Sequence, residues 1–391
     1  MDKCSDNKKR ILFIVPSMVG GGVERCLLNM INAMDPQKYE VDIVAIKSGG
    51  DLVRQIPGWV TYRYIWKREW RIAGKRIPGS DKFFSFIFCK FSPQLLYKTF
   101  IRKKYDVGID YWGQEGLKLV VGINKNAKKL VFIHSDMNSE GLKKAFFPFR
   151  DHESLKSAYS EADYIIGVSE DCKKSMIDRF VFPKDSEKLI VRYNINLNEK
   201  IICKGEENIL NQVDRSKVNG KILCAVGRLT KIKGYDRLIK ICAHLKTDKI
   251  AFQLWLLGQG EERCNLESLI KEYDISDCVK LLGFQSNPYP YMKNADVFVC
   301  SSFFEGFSTV VSEAVILGVP VVTTNCTGAK EILGESEYGI VSGLDDESLY
   351  MALKSILTDE GLYQHYLDKV KERQSFFDKD KRLKEIEDLF D

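Results

Sequence analysis

The stretch VFVCSSFFEGFSTVVSEAVILGVPVV, residues 297–322, holds two apolar runs with a longer segment of helical character between them. The first run, Val297–Cys300, and the last, Val319–Val322, each have the length of one buried strand. Thr309–Leu317, which lies between them, is mostly apolar and long enough for a helix. Two strands joined by a helix form the unit from which parallel sheets are built, so this stretch predicts an α/β fold.

Apolar runs and helix-period segments alternate in the same way on both sides of this stretch. Further strands are predicted at Ile11–Val15, Val41–Ala45, Val107–Ile109, Leu130–Ile133, Tyr164–Val168, Leu189–Val191, Ile222–Val226, Phe252–Leu257 and Val279–Leu282. Asn198–Gly220 is polar and has no clear period, as expected of a linker. We therefore expect two doubly wound domains, with limits of 1–200 for the N-terminal domain, 201–219 for the linker, 220–372 for the C-terminal domain and 373–391 for a C-terminal helix that crosses back to the N-terminal domain.

The composition is that of an ordinary globular protein. A chain of 391 residues exceeds the size at which a single hydrophobic core stops growing, which also favours two domains. Its hydrophobic and charged fractions lie near globular averages, which excludes a disordered or collagen-like chain. Because the cysteines have no paired spacing and no signal peptide or spanning segment is recognisable, we expect a reduced, cytoplasmic protein.

Basic and aromatic residues concentrate between Thr61 and Tyr105. This stretch contains 12 Lys or Arg and two acids, an excess larger than the +5 of the whole chain. Its aromatic residues include Trp66, Trp70, Phe83, Phe84, Phe86, Phe88 and Phe91. Such a stretch indicates binding to a polyanion or to an anionic membrane surface, and we expect peripheral binding to the inner face of the cytoplasmic membrane. The alternative is a solvated basic face with the aromatic side chains in the core.

Residues 297–322 contain two glutamates, one in the turn between strand and helix and one within the helix. Glu305 follows the strand and precedes Ser308 and Thr309, either of which is a good N-cap for the helix. Glu313 lies within the helix among apolar neighbours, where an unpaired carboxylate is costly. It therefore needs a partner, either a group of the protein or the hydroxyls of a ligand.

Two other segments follow strand ends, where open α/β sheets bind their ligands. Gly20–Gly22 precedes a helix and suits either an anion or a tight turn without a ligand, but it lacks the spacing of a dinucleotide fingerprint. Gly227–Gly234, with the sequence GRLTKIKG, carries cations that suit a pyrophosphate. The alternative for these cations is solvated surface charge.

Taken together, these segments resemble the family-4 retaining glycosyltransferases with the GT-B fold. Glu305 and Glu313 have the spacing of the family's Glu-x7-Glu motif, and the other landmarks follow in the family's order from Ile11 to Val341. They are Gly21-Gly22-Val23-Glu24-Arg25, Gly227-Arg228 with Lys233-Gly234, and Gly318-Val319-Pro320-Val321-Val322. The resemblance implies two Rossmann-like parallel-sheet domains that face a central cleft.

The resemblance also implies roles for individual residues. Arg228 and Lys233 are expected to bind the donor diphosphate, Glu305 to hold the transferred sugar, and His134, at a strand end, to contact the same sugar; the alternative for His134 is a structural role. We count these four as catalytic candidates. Expected donor contacts are Gly21, Gly22, Gly227, Gly283, Phe284, Gly306, Phe307, Ser308, Thr309, Val310 and Glu313.

The implied enzyme is a retaining hexosyltransferase or N-acetylhexosaminyltransferase of polysaccharide or glycoconjugate biosynthesis. Its donor is a UDP- or GDP-linked sugar, its acceptor a glycan or lipid-linked glycan, and it uses no further cofactor and no nucleic acid. No metal is expected, because the histidines have no metal-like spacing and no Asp-x-Asp stands at a strand end. The alternatives are a nucleotide-sugar 2-epimerase of the same fold and a non-catalytic partner subunit.

Overall fold

The computed structural model describes residues 8–67, 71–72, 75–76, 80–139, 142, 146–183, 186–208, 213, 215 and 218–391. The chain forms two compact units, one of Met1–Ile195 with Asp380–Asp391 and the other of Asn196–Lys379. We refer to them as the N-terminal and C-terminal units. The domain limits at residues 200 and 220 stay predictions.

The N-terminal unit contains a seven-stranded parallel sheet in the order β3-β2-β1-β6-β7-β8-β9 and a two-stranded antiparallel ribbon, β4-β5. Its strands are β1 (Lys9–Val15), β2 (Tyr39–Lys47), β3 (Thr61–Trp66), β4 (Arg71–Ile72), β5 (Lys75–Arg76), β6 (Val107–Asp110), β7 (Lys128–Ile133), β8 (Tyr164–Gly167) and β9 (Leu189–Val191). Its helices are α1 (Gly22–Ala33), α2 (Ser80–Lys90), α3 (Pro93–Phe100), α4 (Leu117–Val121), α5 (His152–Ser160) and α6 (Glu170–Phe180).

The C-terminal unit contains a six-stranded parallel sheet in the order β12-β11-β10-β13-β14-β15. Its strands are β10 (Lys221–Val226), β11 (Phe252–Leu257), β12 (Val279–Gly283), β13 (Val297–Cys300), β14 (Val321–Thr324) and β15 (Ile340–Ser342). The helices from here to the end of the chain are α7 (Asn198–Gly205), α8 (Tyr235–Thr247), α9 (Arg263–Glu272), α10 (Tyr289–Lys293), α11 (Thr309–Ile316), α12 (Ala329–Leu333), α13 (Asp346–Thr358), α14 (Glu360–Arg373) and α15 (Lys379–Glu387).

The central strands of both sheets are apolar because helices cover both of their faces. Ile11 to Val15 in β1 and Ile222 to Ala225 in β10 are buried without a polar residue between them. In α8 the buried residues include Leu238, Ile239 and Cys242, at the spacing of one helix face. The predicted α/β fold with two doubly wound, Rossmann-like parallel sheets is confirmed.

Each sheet has one topological switch point, where the strand order reverses. In the N-terminal unit it lies between β1 and β6, and in the C-terminal unit between β10 and β13. Loops that leave adjacent strands in opposite directions open a crevice at the carboxyl edge of such a sheet, and ligands bind there. The fold therefore points to the loops after β10 and β13, which follow Val226 and Cys300.

Several elements differ from the prediction. The first part of the expected linker is helical, since Ile201 of α7 is buried and Asn198 donates a 2.8 Å hydrogen bond to the Phe377 carbonyl. The Thr61–Tyr105 stretch contains β3, α2 and α3, none of which was predicted. Of this stretch, residues 68–70, 73–74 and 77–79, and the side chain of Phe83, lie outside the described residues. Within the described part of the chain, no helix has the length and apolarity needed to cross a bilayer.

Candidate functional site

The loops after β10 and β13 bring a lysine and a glutamate into contact at the switch point. Lys233 Nζ donates a 2.6 Å hydrogen bond to Glu305 Oε1, although 71 positions of sequence lie between the two residues. Their side chains are 23% and 14% exposed, so the pair is partly withdrawn from water. Both residues line a crevice together with Val310 of α11. The structure thus joins two of the predicted catalytic residues.

Two serines hold this pair in place. The Ser301 hydroxyl donates a 2.9 Å hydrogen bond to the Lys233 carbonyl, and the Ser302 hydroxyl donates a 2.7 Å hydrogen bond to Glu305 Oε1. The Phe303 amide also donates to the Ile232 carbonyl at 2.8 Å. These bonds link the loop after β13 to the loop after β10 by backbone as well as by side chains.

The Lys233 ammonium is held in its charged form. Burial is the strongest single influence on its pKa and lowers it, but the neighbouring groups, led by the Glu305 carboxylate, together raise the pKa by more, and the net pKa lies above the usual 10.5. Lys233 therefore carries a full positive charge at neutral pH. A partly buried cation of this kind attracts an anion more strongly than a cation surrounded by water.

The N-terminus of α11 lies beside the same crevice. Ser308 is its N-cap residue, yet the hydroxyl makes no capping hydrogen bond. Ser308 Oγ is buried and has no hydrogen-bond partner among the residues that the structure describes. A buried hydroxyl is costly without a partner, and the first-turn amides and dipole of a helix attract negative charge. The Ser308 hydroxyl and the first turn of α11 therefore offer groups that suit an anion beside the crevice lined by Lys233.

Glu313, in the second turn of α11, is buried and has a partner within the protein. The Tyr289 hydroxyl of α10 donates a 3.1 Å hydrogen bond to its Oε1 atom. The structure thus meets the need for a partner that its apolar neighbours predicted. A carboxylate can accept several hydrogen bonds, so ligand hydroxyls are candidate donors to Glu313 in addition to Tyr289.

The other predicted donor contacts of the C-terminal unit lie at the same edge of its sheet. They are Gly227, Gly283, Phe284, Gly306, Phe307, Thr309 and Val310. Arg228 is exposed and forms no ion pair with any residue in the described ranges. The Phe284 side chain is exposed, whereas Phe307 is buried. Arg228 is thus a second cation at this edge whose charge is not used within the fold.

Gly21 and Gly22, in the N-terminal unit, begin α1 after β1. The Gly21 amide donates a 3.0 Å hydrogen bond to Glu24 Oε2, so a carboxylate of the chain itself already satisfies it. A Cβ at Gly21 would lie 2.6 Å from the same oxygen, so a larger residue there would displace the Glu24 carboxylate. The predicted contact of Gly21 with the donor therefore has this competing partner.

His134 follows β7 in the N-terminal unit and is buried against Tyr111, with ring centroids 4.8 Å apart. Burial lowers its pKa to about 3, so the ring is neutral at pH 7. Its Nε2 atom is buried and has no hydrogen-bond partner in the described part of the chain. A neutral imidazole with one unsatisfied nitrogen suits a hydrogen bond to a hydroxyl, not an ionic contact.

Asp110, at the end of β6, is a buried acid that was not predicted. Burial raises its pKa to about 7, against the backbone amides of Trp112, Gly113 and Leu117, which lower it. Its Oδ2 atom has no hydrogen-bond partner among the described residues. The available signal was an acid at the end of the apolar run VGID, at the switch point next to β1.

The low pKa of His134 predicts a specific pH dependence of stability. Because the pKa is about 3 in the folded chain and about 6.5 in the unfolded chain, protonation of His134 favours unfolding. The folded state therefore keeps its full stability above pH 6.5 and loses stability as the pH falls below that value. Between pH 7 and pH 5, the stability advantage of the unaltered chain over His134→Gln should shrink by about 2 kcal/mol. Urea unfolding at both values measures it, with the exposed His244→Gln as control. If the free energy of unfolding changed between pH 7 and pH 5 by the same amount in both variants, the assignment would be contradicted.

The chain matches two family models that together span most of it. Residues 20–194 match the model "Glycosyltransferase Family 4", and residues 207–373 match "Glycosyl transferases group 1".

Among the described residues, no group of three or more His, Cys, Asp or Glu side chains could hold a metal ion.

Two relatives from Campylobacter jejuni subsp. jejuni show similarity of different extent. One, an N-acetylgalactosamine-N,N'-diacetylbacillosaminyl-diphospho-undecaprenol 4-alpha-N-acetylgalactosaminyltransferase, is 37% identical over 224 residues, which are 56% of this chain and 58% of the relative. The chain thus spans little more than half the length of this relative. The other, a GalNAc-alpha-(1->4)-GalNAc-alpha-(1->3)-diNAcBac-PP-undecaprenol alpha-1,4-N-acetyl-D-galactosaminyltransferase, is 25% identical over 94% of both chains.

Solved structures are similar over nearly the whole chain. Anabaena Alr3699/HepE, in complex with UDP and glucose, has a TM-score of 0.71 and 19% identity, and the match covers 97% of this chain and 98% of that one. TarM has a TM-score of 0.74 and 12% identity over 100% of both chains. At these identities the similarity establishes the fold.

Proposed function

The chain belongs to the family-4, group 1 glycosyltransferases with the GT-B fold, and we infer from this that it transfers a sugar from a nucleoside diphosphate donor to a glycan acceptor. The observation that supports this most is the contact between Lys233 and Glu305 at the switch point of the C-terminal sheet. Lys233 supplies a cation for the diphosphate and Glu305 a carboxylate for the sugar hydroxyls. In a nucleotide sugar the diphosphate and the sugar hydroxyls that these two groups would bind are adjacent.

The diphosphate binds at the start of α11 in this proposal. The Lys233 ammonium, the exposed Arg228 guanidinium and the first-turn amides of α11 stabilise the charge that develops on the leaving group. Ser308 Oγ donates to a phosphate oxygen and so loses its unsatisfied state. The Glu313 carboxylate accepts hydrogen bonds from the ribose hydroxyls, and the hydrogen bond from Tyr289 keeps this carboxylate oriented.

We further propose that transfer retains the anomeric configuration and needs no metal. The bond between the anomeric carbon and the diphosphate then breaks while the acceptor oxygen bonds to that carbon on the same face, and the hydroxyl proton passes to the departing phosphate oxygen. The cations stabilise the diphosphate in place of a divalent ion. The product's anomeric configuration, read from its NMR coupling constants, tests retention. Full turnover in excess chelator tests metal independence, whereas loss of turnover that Mg²⁺ or Mn²⁺ restores would contradict it.

The acceptor in this proposal is a lipid-linked glycan and the donor sugar a hexose or an N-acetylhexosamine. Both Campylobacter relatives are named as N-acetylgalactosaminyltransferases acting on diphospho-undecaprenol glycans, which supports this choice. UDP, present in the HepE structure, is the first nucleotide to test and GDP the second.

A thermal-shift panel of UDP, GDP, ADP and CMP tests the donor class. A nucleotide present at 100 times its dissociation constant stabilises the folded state by about 2.7 kcal/mol, which raises the Tm by several degrees. UDP or GDP should do so, and release of the nucleotide from UDP-N-acetylgalactosamine, UDP-glucose or GDP-mannose should follow. If no nucleoside diphosphate shifted the Tm, the proposed function would be wrong.

We also propose that the enzyme docks on anionic membrane through α2, α3 and the turn after α3, which we call the basic-aromatic surface. Phe86, Phe91 and Leu95 are 58%, 44% and 47% exposed there, and Lys90 and Lys98 are exposed beside them. Residues 82–105 contain no acid. Exposed apolar side chains among cations suit a bilayer surface with negative lipids.

The end of α2 is fixed so that this surface keeps its form. Lys118 of α4 is buried, and its Nζ atom donates hydrogen bonds to the Phe88 and Cys89 carbonyls at 2.7 and 2.9 Å. A cation at the C-terminus of a helix donates hydrogen bonds to the last carbonyls of the helix and interacts favourably with the helix dipole.

Sedimentation with vesicles of phosphatidylcholine and phosphatidylglycerol tests the basic-aromatic surface. Each lysine near an anionic surface contributes about 1 kcal/mol, so Lys90→Gln with Lys98→Gln should lower the partition coefficient by about 30-fold. The matched control is Lys249→Gln with Lys271→Gln, two exposed lysines of the C-terminal unit. Equal binding of both double variants, or no binding of the unaltered chain at low salt, would contradict the proposal.

A further inference from the structure

Arg237, in the first turn of α8, is buried where an apolar side chain would be expected. It is 2% exposed, although a buried guanidinium is costly unless its donors are satisfied. The nearest carboxylate, that of Asp346, is largely exposed and lies 3.9 Å from Nη1. The stabilisation of this charge therefore has to come mainly from other groups.

Those groups are backbone carbonyls of two loops at the carboxyl edge of the sheet. Arg237 Nε donates to the Ser301 carbonyl at 2.9 Å, and Nη2 donates to the same oxygen and to the Ser302 carbonyl at 3.3 Å. Nη1 donates to the Leu344 carbonyl at 2.6 Å. The guanidinium thus connects the loop after β13 to the loop after β15.

The same guanidinium fixes an aromatic side chain of the loop after β13. Its central carbon lies 3.9 Å from the centroid of the Phe303 ring. A cation at this distance from a ring face is attracted to it, and more strongly where water is excluded. Three consecutive residues, Ser301 to Phe303, are therefore held by one side chain.

These three residues lead directly into the proposed site. Ser301 Oγ donates to the Lys233 carbonyl, and Ser302 Oγ donates to Glu305. The fit is close: a Cβ at Gly234 would overlap the Ser301 carbonyl oxygen and lie 2.8 Å from Arg237 Nε. A residue with a Cβ atom would not fit at position 234 between the arginine and the loop.

We propose that Arg237 is a positioning residue, which holds the Ser301–Glu305 loop so that Glu305 stays against Lys233 and both face the donor. This inference rests on the proposed function and adds a residue to its site. Arg237 touches neither of the two side chains and acts through the backbone between them. A displacement of reacting groups by about 1 Å can lower the rate about 10²-fold. Loss of the contacts that Arg237 makes should therefore have a measurable effect on turnover.

The test compares Arg237→Ala with Arg373→Ala. Arg373 provides a matched control in the same unit, because its Nε donates to the Ile332 carbonyl at 2.8 Å, its Nη2 donates to the Glu331 carbonyl, and its guanidinium lies 3.9 Å from the Phe376 centroid. It has the same chemistry but lies outside the proposed site. Turnover is measured as UDP released from UDP-N-acetylgalactosamine, corrected for the folded fraction, with and without added guanidinium chloride at non-denaturing concentration.

Arg237→Ala should lower kcat by about 10²-fold, and guanidinium should restore part of it. Hydrogen exchange of the amides in residues 301–305 should speed up in this variant alone, a readout that requires no turnover. Arg373→Ala should keep the kcat of the unaltered chain even if its Tm falls. If both variants kept full kcat, or if exchange in residues 301–305 did not change, the inference would be wrong. If the unaltered chain released no nucleotide from any donor, the proposed function would fail first, and the positioning role with it.

Discussion

Replacing Lys233 with alanine is expected to lower kcat by about 10²- to 10³-fold at saturating donor. The Lys233 ammonium is partly buried, fully charged and 2.6 Å from Glu305, so it forms part of a preorganised electrostatic site. Loss of one such group that stabilises developing charge has an effect of this size. Because the charge on the leaving diphosphate grows toward the transition state, kcat should fall more than the KM for the donor rises.

The control for this prediction is Lys240→Ala, which removes an exposed lysine from α8 in the same unit. It should leave kcat and KM unchanged. The double variant Lys233→Ala with Glu305→Gln should cost less than the sum of the two single changes in free energy, because the pair acts as one unit. Full turnover of Lys233→Ala at saturating donor would remove Lys233 from the diphosphate site.

Replacing Gly258 with alanine is expected to lower the free energy of unfolding of the C-terminal unit by about 3–5 kcal/mol. Gly258 follows β11 and has a φ of +144°, a conformation that L-residues rarely adopt. An added Cβ would also overlap the carbonyl oxygen of Gly227, which begins the loop that carries Arg228. The expected loss is a large part of the stability of a typical domain.

Gly283→Ala separates these two contributions. Gly283 ends β12, beside β11, and has a φ of +71°, but the atom nearest to an added Cβ is Arg263 Nη1 at 3.7 Å. This variant should therefore lose only about 1–2 kcal/mol, from backbone strain alone. Urea unfolding of both variants measures the difference. Equal losses would mean that the close approach of Gly258 to Gly227 does not constrain the loop.

The central strands could be predicted from the sequence because burial on both faces makes them apolar runs. Elements at the margins could not. Strand β3 lies at the edge of its sheet and has no buried residue, so TYRYIW carries neither an apolar run nor a clean alternation. Strand β15 has the sequence IVS, with two apolar residues in a row, and so stands out less than the equally short but wholly apolar β9, LIV. Helix α7 in the expected linker depends on contacts with distant residues such as Phe377, which no local pattern reveals.

The candidate site was predictable in its residue types and not in its contacts. The order of the motifs indicated Glu305 and Lys233, but their hydrogen bond depends on β10 and β13 being neighbours, which is a property of the topology. Tyr289 and Arg237 could not be predicted, since one looks like an ordinary helix residue and the other like a surface cation. Their roles follow from burial, which sequence patterns report poorly for polar residues.

A crystal structure of the chain grown with UDP tests the central claim most directly. We expect the diphosphate at the N-terminus of α11, with phosphate oxygens at about 2.7–3.2 Å from Lys233 Nζ and Ser308 Oγ and the ribose hydroxyls beside Glu313. UDP bound elsewhere on the chain, with these three side chains turned away from it, would contradict the account.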